Sequence, residues 1–135
     1  MGSAAETVQK WYRLSAEGDV AGLKELAHPD IEFIVADGYP SGGRWVGRDV
    51  VFGEFFPKSS VHWKTWAAKV EEVFAAENGC VTVRGRYVGS TKDPEIELDV
   101  PFAHLWRVEG DQLVWMQSFT DTAILQGAIA QQVSA

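Results

Sequence analysis

The chain has 135 residues, of which 46% are hydrophobic and 12% aromatic, and it contains six Trp. This length fits one domain, residues 1–135, and the composition is too apolar for a disordered chain. The net charge of −7 disfavours a nucleic-acid partner, and no apolar run reaches the roughly 20 residues of a membrane-spanning helix.

The first half of the chain predicts helices with one strand between them. Gly18 is suited to the C-terminal cap of the first helix, and Asp19 to the N-terminal cap of the second. Pro57 is expected to end the third helix. The predicted elements are helices over 4–17, 19–27 and 48–56, a strand over 31–37 and a loop over 38–43.

The second half predicts a meander of strands joined by tight turns. Asn78-Gly79 is the strongest hairpin signal, because both central residues of a type I′ turn need positive φ. Residues 122–132 are compatible with a terminal helix or a fraying tail. The predicted strands cover 63–76, 80–90, 95–108 and 112–120. Together the elements indicate an α+β fold with an antiparallel sheet.

Two-residue turns at Asn78-Gly79 and Gly110-Asp111 predict the strand registers, and hence the faces of the sheet. His104 is expected opposite Gln117, and the opposite face is expected to carry the charged row of Glu71, Arg86 and Asp99. The predicted apolar face comprises Trp66, Val70, Phe74, Val81, Val83, Tyr87, Leu98, Val100, Phe102, His104, Trp106, Trp115, Gln117, Phe119 and Asp121.

Polar side chains on this apolar face are the candidates for chemistry. A carboxyl group such as Asp121 in an apolar pocket has a raised pKa, and the imidazole of His104 can hydrogen-bond a developing oxyanion. Structural roles compete with these: Asp121 also fits the N-terminal cap of a helix, and Asp37 fits a turn before Gly38. His104 also fits a satisfied core histidine, and Gln117 a spacer.

The aromatic residues favour a cavity over a solid core. Every indole N–H needs a partner when it is buried, and six Trp in a short chain make that difficult unless part of the wall is wet. The candidate binding residues are Trp11, Tyr12, Trp45, Phe55, Trp63, Tyr87, Phe102, Trp106, Gln117 and Phe119. A small hydrophobic molecule is therefore the expected partner.

Other site types find no support in the residues. No His, Cys, Asp and Glu cluster has metal-ligand spacing and no glycine-rich phosphate loop opens a helix, so neither a metal nor a cofactor is expected. Cys80 is the single cysteine, which excludes an internal disulfide and suggests a reducing cytoplasm. The N-terminus carries no signal-peptide pattern.

The order of elements resembles the NTF2-like fold, a cone of curved antiparallel sheet wrapped around N-terminal helices with one internal apolar pocket. Within it, the chain is most similar to SnoaL-like polyketide cyclases and ketosteroid isomerases. The resemblance rests on the segments around Glu17-Gly18-Asp19, His28-Pro29-Asp30, Gly47-Arg48-Asp49, Pro101-Phe102-Ala103-His104 and Phe119-Thr120-Asp121-Thr122.

The resemblance implies roles for particular residues. Asp121 matches the general acid/base of the cyclases, and His104 a position that is often His there and the neutral Asp of the oxyanion hole in the isomerases. Asp37 lies near the position of the isomerase base. Trp11 stands where the isomerases have an oxyanion-hole Tyr, with Tyr12 adjacent, and this departure disfavours steroid isomerisation. The resemblance also implies a homodimer.

These observations predict a cofactor-independent acid–base enzyme, of cyclase or isomerase type, for a small hydrophobic carbonyl compound. An epoxide hydrolase-type enzyme of the same fold is a first alternative, but its carboxylate–Arg arrangement conflicts with Arg86 and Asp99 on the outer face. A non-catalytic ligand-binding or oligomerising module is a second. The alternatives divide on whether Asp121 and His104 point into one pocket.

Overall fold

The computed structural model describes residues 3–134, with the backbone alone for 133 and 134; Met1, Gly2 and Ala135, at the ends of the predicted domain, lie outside the described residues. Helices and strands alternate in the first half and a strand meander follows. The elements are α1 (Ala4–Glu17), α2 (Val20–Leu26), β1 (Ala27–Val35), β2 (Gly43–Val46), α3 (Arg48–Val50), a π-helical turn (Val51–Phe55), α4 (Phe56–Ser60), β3 (Trp63–Ala75), β4 (Cys80–Thr91), β5 (Glu97–Glu109), β6 (Gln112–Thr120) and α5 (Thr122–Ser134).

The caps at Gly18 and Asp19 follow the sequence prediction. Ser3 caps α1 by accepting the N–H of Glu6, and Gly18 ends the helix at a φ of 71°, where a residue with a Cβ is strained. Asp19 then caps α2 by accepting the N–H of Gly22 at 2.9 Å. The chain turns directly from α2 into β1, so the strand begins before Pro29 and earlier than predicted.

The third helical segment is longer than predicted, because Pro57 does not end it. The segment runs from Arg48 to Ser60 and widens into a π-helical turn at Val51–Phe55. Pro57 lies in the first turn of α4, where a missing backbone N–H costs little. The segment thereby extends past the proline, and Val51 and Phe55 are buried in it.

The six strands form one open sheet in the order β2-β1-β6-β5-β4-β3. All neighbouring pairs are antiparallel except β1 and β6, which run parallel. Register shifts interrupt the β1–β6, β3–β4 and β5–β6 pairings, and bulges of this kind bend a sheet. The result is the curved, unclosed sheet of the predicted α+β class, with α1 packed against its concave side, the inner face.

The β3–β4 hairpin confirms the turn but not its length. Asn78 and Gly79 both have positive φ, at 61° and 74°. The loop nevertheless has three residues, since Ala76 pairs with Cys80, and a bulge follows at Glu71. Phe74 therefore moves to the outer face, where it is 47% exposed, and Val73 takes its place opposite Val83.

The register of the β5–β6 hairpin differs from the prediction by one residue, and this exchanges the two faces of β6. Val108 pairs with Leu113 and Arg107 with Trp115, so Val114 is an extra residue. His104 consequently lies opposite Ser118 rather than Gln117. Because side chains alternate along a strand, a shift of one residue exchanges the faces. The predicted inner residues Trp115, Gln117, Phe119 and Asp121 are therefore not on the inner face, which carries Met116 and Ser118.

The faces of β4 and β5 are those predicted, and they form the centre of the core. Ser90 pairs with Glu97 rather than with Glu95, the first residue of the predicted strand, so the register differs from the prediction by two residues, and an even shift preserves the faces. The buried inner residues of these strands are Val81, Val83, Tyr87, Leu98, Val100, Phe102, His104, Trp106 and Val108. Arg86 pairs with Asp99 on the outer face, as predicted.

Candidate functional site

His104 lies at the centre of the inner face, bonded on both sides by tyrosines. The Tyr12 hydroxyl is 2.5 Å from Nδ1, and the Tyr87 hydroxyl is 2.5 Å from Nε2. The sheet positions Tyr87 and His104 on adjacent strands, and α1 carries Tyr12 across the concave face. The imidazole is 7% exposed. Both ring nitrogens are thus occupied by phenol groups.

Trp106 extends this arrangement by one further hydrogen bond. Its indole N–H donates to the Tyr12 hydroxyl at 2.9 Å. Trp106 and His104 are two residues apart on β5, so both side chains point to the inner face. Trp106, Tyr12, His104 and Tyr87 therefore form one continuous chain of hydrogen bonds, called here the polar chain.

Burial keeps the polar chain uncharged at neutral pH. Desolvation lowers the pKa of His104 to about 3, so that the imidazole is neutral. Desolvation raises the pKa of Tyr12, with a smaller opposing effect from the Trp106 hydrogen bond. The pKa of Tyr87 is raised first by desolvation and further by Tyr39 and Tyr12. The site therefore offers hydrogen-bond donors and acceptors without a formal charge.

Aromatic rings enclose the polar chain on two sides. On the α1 side, Trp11 packs against Trp106 at 5.4 Å between ring centroids and against Phe33 at 6.1 Å. The other side begins at Phe102, whose ring stacks on His104 at 4.2 Å and on Tyr87 at 4.5 Å. The first group also contains Phe52, Phe55 and Phe56, and the second Tyr39, Trp63 and Trp66.

Tyr39 covers the Tyr87 end of the polar chain. It lies in the loop between β1 and β2, and its ring is 6.2 Å from that of Tyr87 and 6.0 Å from that of Trp66. The loop is a tight turn, in which the Gly42 N–H donates to the Tyr39 carbonyl at 2.7 Å. Tyr39 itself is only partly buried. Tyr39 and Trp66, both partly buried, therefore separate the buried Tyr87 from solvent at this end.

Asp121 lies outside the aromatic interior. It is exposed at the start of α5, where its carboxylate accepts the N–H of Ile124 at 3.2 Å. This geometry is that of an N-terminal cap, the structural role weighed against catalysis. The structure does not bring Asp121 into hydrogen-bond contact with His104.

Asp37 is likewise exposed, in the loop that carries Tyr39. The loop packs on the first turn of α5, since a Cβ added at Gly38 would lie 2.9 Å from the Thr122 Cβ. The Gln126 amide also donates to the Gly38 carbonyl. The two predicted carboxylates thus flank one corner of the molecule, beside the loop that covers Tyr87.

The structure divides the predicted binding residues into an interior group and an outer group. Gln117 and Phe119 belong to the outer face, and Phe119 is 48% exposed. Trp45 is partly buried at the edge, where its N–H donates to the Ser41 carbonyl at 2.9 Å. The interior group is Trp11, Tyr12, Phe55, Trp63, Tyr87, Phe102 and Trp106.

Sequence reasoning missed the bonding of His104 and the position of Tyr39. The facing strands already placed Tyr87 and His104 on one face, which was a usable signal for their contact. Nothing in the sequence set the rotation of α1 that brings Tyr12 to the imidazole. An aromatic residue in a loop of Gly and Pro was the signal for Tyr39.

Three further observations concern the described residues. Among residues 3–134, no group of three or more His, Cys, Asp or Glu is arranged to hold a metal ion. The helices of that same range include none that is long and apolar enough to cross a membrane. Within the described part of the chain, the Trp63 indole N–H is the one buried side-chain polar atom without a hydrogen-bond partner.

Comparison with known proteins yields both structural and family relationships. An NTF2-like protein from Burkholderia thailandensis is 26% identical with a TM-score of 0.88, and the match covers 96% of this chain and 98% of that one. TerC, crystallised with polyporic acid, is 21% identical with a TM-score of 0.84, over 94% of this chain and 98% of that one.

A protein from Jannaschia described as a SnoaL-like polyketide cyclase is 21% identical, with a TM-score of 0.74 over 94% of this chain and 91% of that one. No curated protein matches the sequence. The family model of the SnoaL-like domain matches residues 8–116, which is most of the chain. The chain therefore belongs to the SnoaL-like domain family.

Proposed function

We propose that the protein binds a small, largely aromatic carbonyl compound on the inner face of its sheet, with the polar chain donating a hydrogen bond to the carbonyl oxygen. The observation that carries this proposal is the uncharged chain around His104 in an interior otherwise made of aromatic rings. Such walls suit a flat apolar ligand, and a few placed polar groups set its orientation.

The neutral state of the polar chain favours a carbonyl over an anionic ligand. A buried carboxylate or phosphate needs a cation or several donors, and no Lys or Arg is among the buried polar residues of the described chain. A carbonyl oxygen needs one or two donors, and a phenol hydroxyl of the polar chain supplies one. TerC, crystallised with polyporic acid, and the Jannaschia relative described as a polyketide cyclase support the same class.

We propose that a ligand enters past Tyr39. The ring of Tyr39 covers Tyr87 and is only partly buried, while the opposite end is closed by the packing of Trp11, Phe33 and Trp106. Rotation of this one ring, which also breaks the side-chain hydrogen bond of Tyr39 to Ser59, would open the route without disturbing the sheet. Tyr39→Ala is therefore expected to speed ligand association.

The test is a titration with two probes of the same shape, acetophenone and α-methylstyrene, in which a C=CH2 group replaces C=O. NMR shifts of the His104 and Tyr87 resonances report binding at the polar chain. We expect acetophenone to bind about three- to tenfold more tightly, since one neutral hydrogen bond has that worth. Equal affinities, or shifts confined to the outer face, would overturn the proposal.

Acid–base catalysis in this site is the second candidate. It is favoured by the position of Asp37 and Asp121 on either side of the Gly38–Thr122 contact, next to the loop of Tyr39. A carboxylate would take a proton from the carbon beside the carbonyl, the C–H electrons would form the enolate, and the polar chain would stabilise its oxygen. Return of the proton at another carbon gives isomerisation. Attack of the enolate carbon on a second carbonyl of the same molecule, whose π electrons move to its oxygen and take up the proton, gives ring closure.

Hydrogen–deuterium exchange at the acetophenone methyl group in D2O measures this proton removal directly. Acid–base catalysis is supported if the wild type accelerates this exchange and one of Asp37→Asn and Asp121→Asn abolishes the acceleration. The variant that abolishes it identifies the base. No acceleration at saturating acetophenone would exclude catalysis of this kind while leaving the binding proposal intact. Asp111→Asn, an exposed carboxylate in the β5–β6 turn, is the matched control.

A further inference from the structure

The polar chain contains one hydrogen-bond donor more than its internal contacts require. Trp106, Tyr12, neutral His104 and Tyr87 each carry one N–H or O–H donor, which gives four donors for three contacts. One of the four protons is therefore left without a partner inside the chain. Its position decides which residue contacts a ligand.

Trp106 restricts the direction of the chain, because an indole N–H donates and never accepts. Tyr12 must therefore accept from Trp106. Two arrangements remain. In the first, Tyr12 donates to Nδ1 and the Nε2–H of His104 donates to Tyr87. In the second, Nδ1–H donates to Tyr12 and Tyr87 donates to Nε2.

The second arrangement leaves the spare proton on Tyr12, where no acceptor is available. Tyr12 is 8% exposed, and its ring lies 6.4 Å from Phe102 and 6.1 Å from Trp106. Its oxygen would already accept from both Trp106 and His104. An O–H without an acceptor in apolar surroundings is unfavourable in either arrangement, but in this one the Tyr12 oxygen accepts twice and donates to nothing. The described hydrogen bonds offer Tyr12 no partner beyond these two.

The first arrangement places the spare proton on Tyr87, which is as buried as Tyr12, at 6% exposure. Its ring packs 4.7 Å from Trp66 and 6.2 Å from Tyr39, both only partly buried. All bonds then point the same way along the chain, and such an alignment strengthens each member. This alignment, rather than exposure, favours the first arrangement, and a ligand admitted past Tyr39 would meet the spare hydroxyl of Tyr87.

We infer that Trp106 is a positioning residue, which fixes His104 as the Nε2–H tautomer and makes the Tyr87 hydroxyl the donor that contacts the ligand. This inference deepens the proposed function, since it names the atom that contacts the carbonyl. It also assigns a role to a tryptophan that does not contact the ligand itself.

The first measurement is the tautomer of His104 in the ligand-free protein, from long-range ¹H–¹⁵N correlation spectra. The expected result is Nε2–H, and a population of mainly Nδ1–H would overturn the inference. Because no ligand is present, this outcome is independent of whether the protein binds carbonyl compounds. The result stands even if the variants below fail to fold.

Two tryptophan variants separate positioning from packing. Trp106→Phe removes the donor to Tyr12 and is expected to shift His104 toward a mixture of tautomers. Trp63→Phe is the matched control, since Trp63 is also buried but its N–H has no hydrogen-bond partner. The Trp63→Phe spectrum should keep the wild-type tautomer. An unchanged tautomer in folded Trp106→Phe contradicts the role of Trp106.

The contact with the ligand is tested with acetophenone. Tyr87→Phe should weaken acetophenone binding about three- to tenfold and leave the affinity for α-methylstyrene unchanged. The bound carbonyl stretching frequency should rise toward that of the apolar environment. If Tyr12→Phe produced this pattern and Tyr87→Phe did not, the spare proton would be on Tyr12 and the inference would be wrong.

Discussion

His104 illustrates how burial alone changes the chemistry of a residue. Two phenols occupy its ring nitrogens and neither carries a charge, so nothing compensates an imidazolium. Its role in the proposed site is therefore that of a neutral group, which accepts a hydrogen bond from one tyrosine and donates one to the other. A free imidazole of ordinary pKa would instead be charged in acid, with an N–H donor at both positions and no acceptor.

The buried imidazole predicts a pH dependence of stability. In the unfolded chain His104 binds a proton below about pH 6.5, whereas in the folded protein it stays neutral until its pKa of about 3. Between these values the unfolded state binds more protons, so the free energy of unfolding falls as the pH falls. The slope contributed by this residue is at most about 1.4 kcal/mol per pH unit.

Denaturant unfolding from pH 7 to pH 4 measures this slope in wild type and in His104→Gln. The variant is expected to have the shallower slope, even though it is less stable at pH 7. His62→Gln, which removes an imidazole that is only partly buried, serves as the control and should resemble the wild type more closely. Identical slopes in wild type and His104→Gln would contradict the prediction.

Asp121 carries a second prediction at this scale. Its carboxylate caps α5 through the N–H of Ile124, so Asp121→Ala should lower the free energy of unfolding by about 1 kcal/mol. Asp121→Asn should retain most of the stability that Asp121→Ala loses, because Asn caps nearly as well. Thermal unfolding of both variants decides: a loss in Asp121→Asn equal to that in Asp121→Ala would show that the cap is not the source of the stability.

Strand β6 shows how much one residue matters to an element. The extra residue Val114 places Met116 and Ser118 on the inner face and turns Trp115 and Gln117 outward. The bulge also bends the sheet where it passes over α2 and the end of α1. A short polar residue, Ser118, thereby faces His104 across the strands, and its hydroxyl accepts the N–H of Ala36 at 3.2 Å.

This arrangement predicts unequal losses of stability when two neighbouring residues of β6 are truncated. Met116→Ala creates a cavity in the core and should cost about 2–5 kcal/mol of stability. Gln117→Ala removes a partly exposed amide and should change it by less than about 0.5 kcal/mol. Equilibrium unfolding in urea measures both. A larger loss in Gln117→Ala than in Met116→Ala would restore the face assignment made from the sequence.

The elements also show why the sequence predicted part of the site. The inner faces of β4 and β5 were correct although the register between them was misjudged by two residues, because an even error leaves alternation intact. The face of β6 was wrong because a bulge shifts by one, and neither Val114 nor its neighbours mark a bulge by composition. Helix α1 had the predicted bounds, but only tertiary packing directs Tyr12 to His104.

For the whole molecule, the outer face of the sheet is the surface on which we propose the homodimer that the family resemblance implies. A row of facing residues crosses five strands there, and the members are Ile34, Gln117, Leu105, Thr82 and Phe74. Charged residues of both signs border it, with Arg84 paired to Glu71 and Glu72. A second copy related by a twofold axis can therefore match opposite charges.

Leu105→Arg should convert this dimer to a monomer, because it places an unpaired charge at the centre of this uncharged row. Sedimentation velocity measures the change in mass. Val20→Arg, a charge introduced at an exposed valine of α2, should leave the dimer intact. A wild type that sediments as a monomer, or a Leu105→Arg variant that remains a dimer, would contradict the prediction.

The parallel pairing of β1 with β6 has a consequence for how the chain folds during synthesis. Strand β2 joins the sheet only through β1, and β1 only through β6, the last strand to be made. The ribosome therefore releases the N-terminal third long before its sheet partners exist. Tyr12 of α1 waits in the same way for Phe102 and Trp106 of β5. The native structure forms only once β6 has emerged, and until then the exposed aromatic residues of the nascent chain are a target for chaperones.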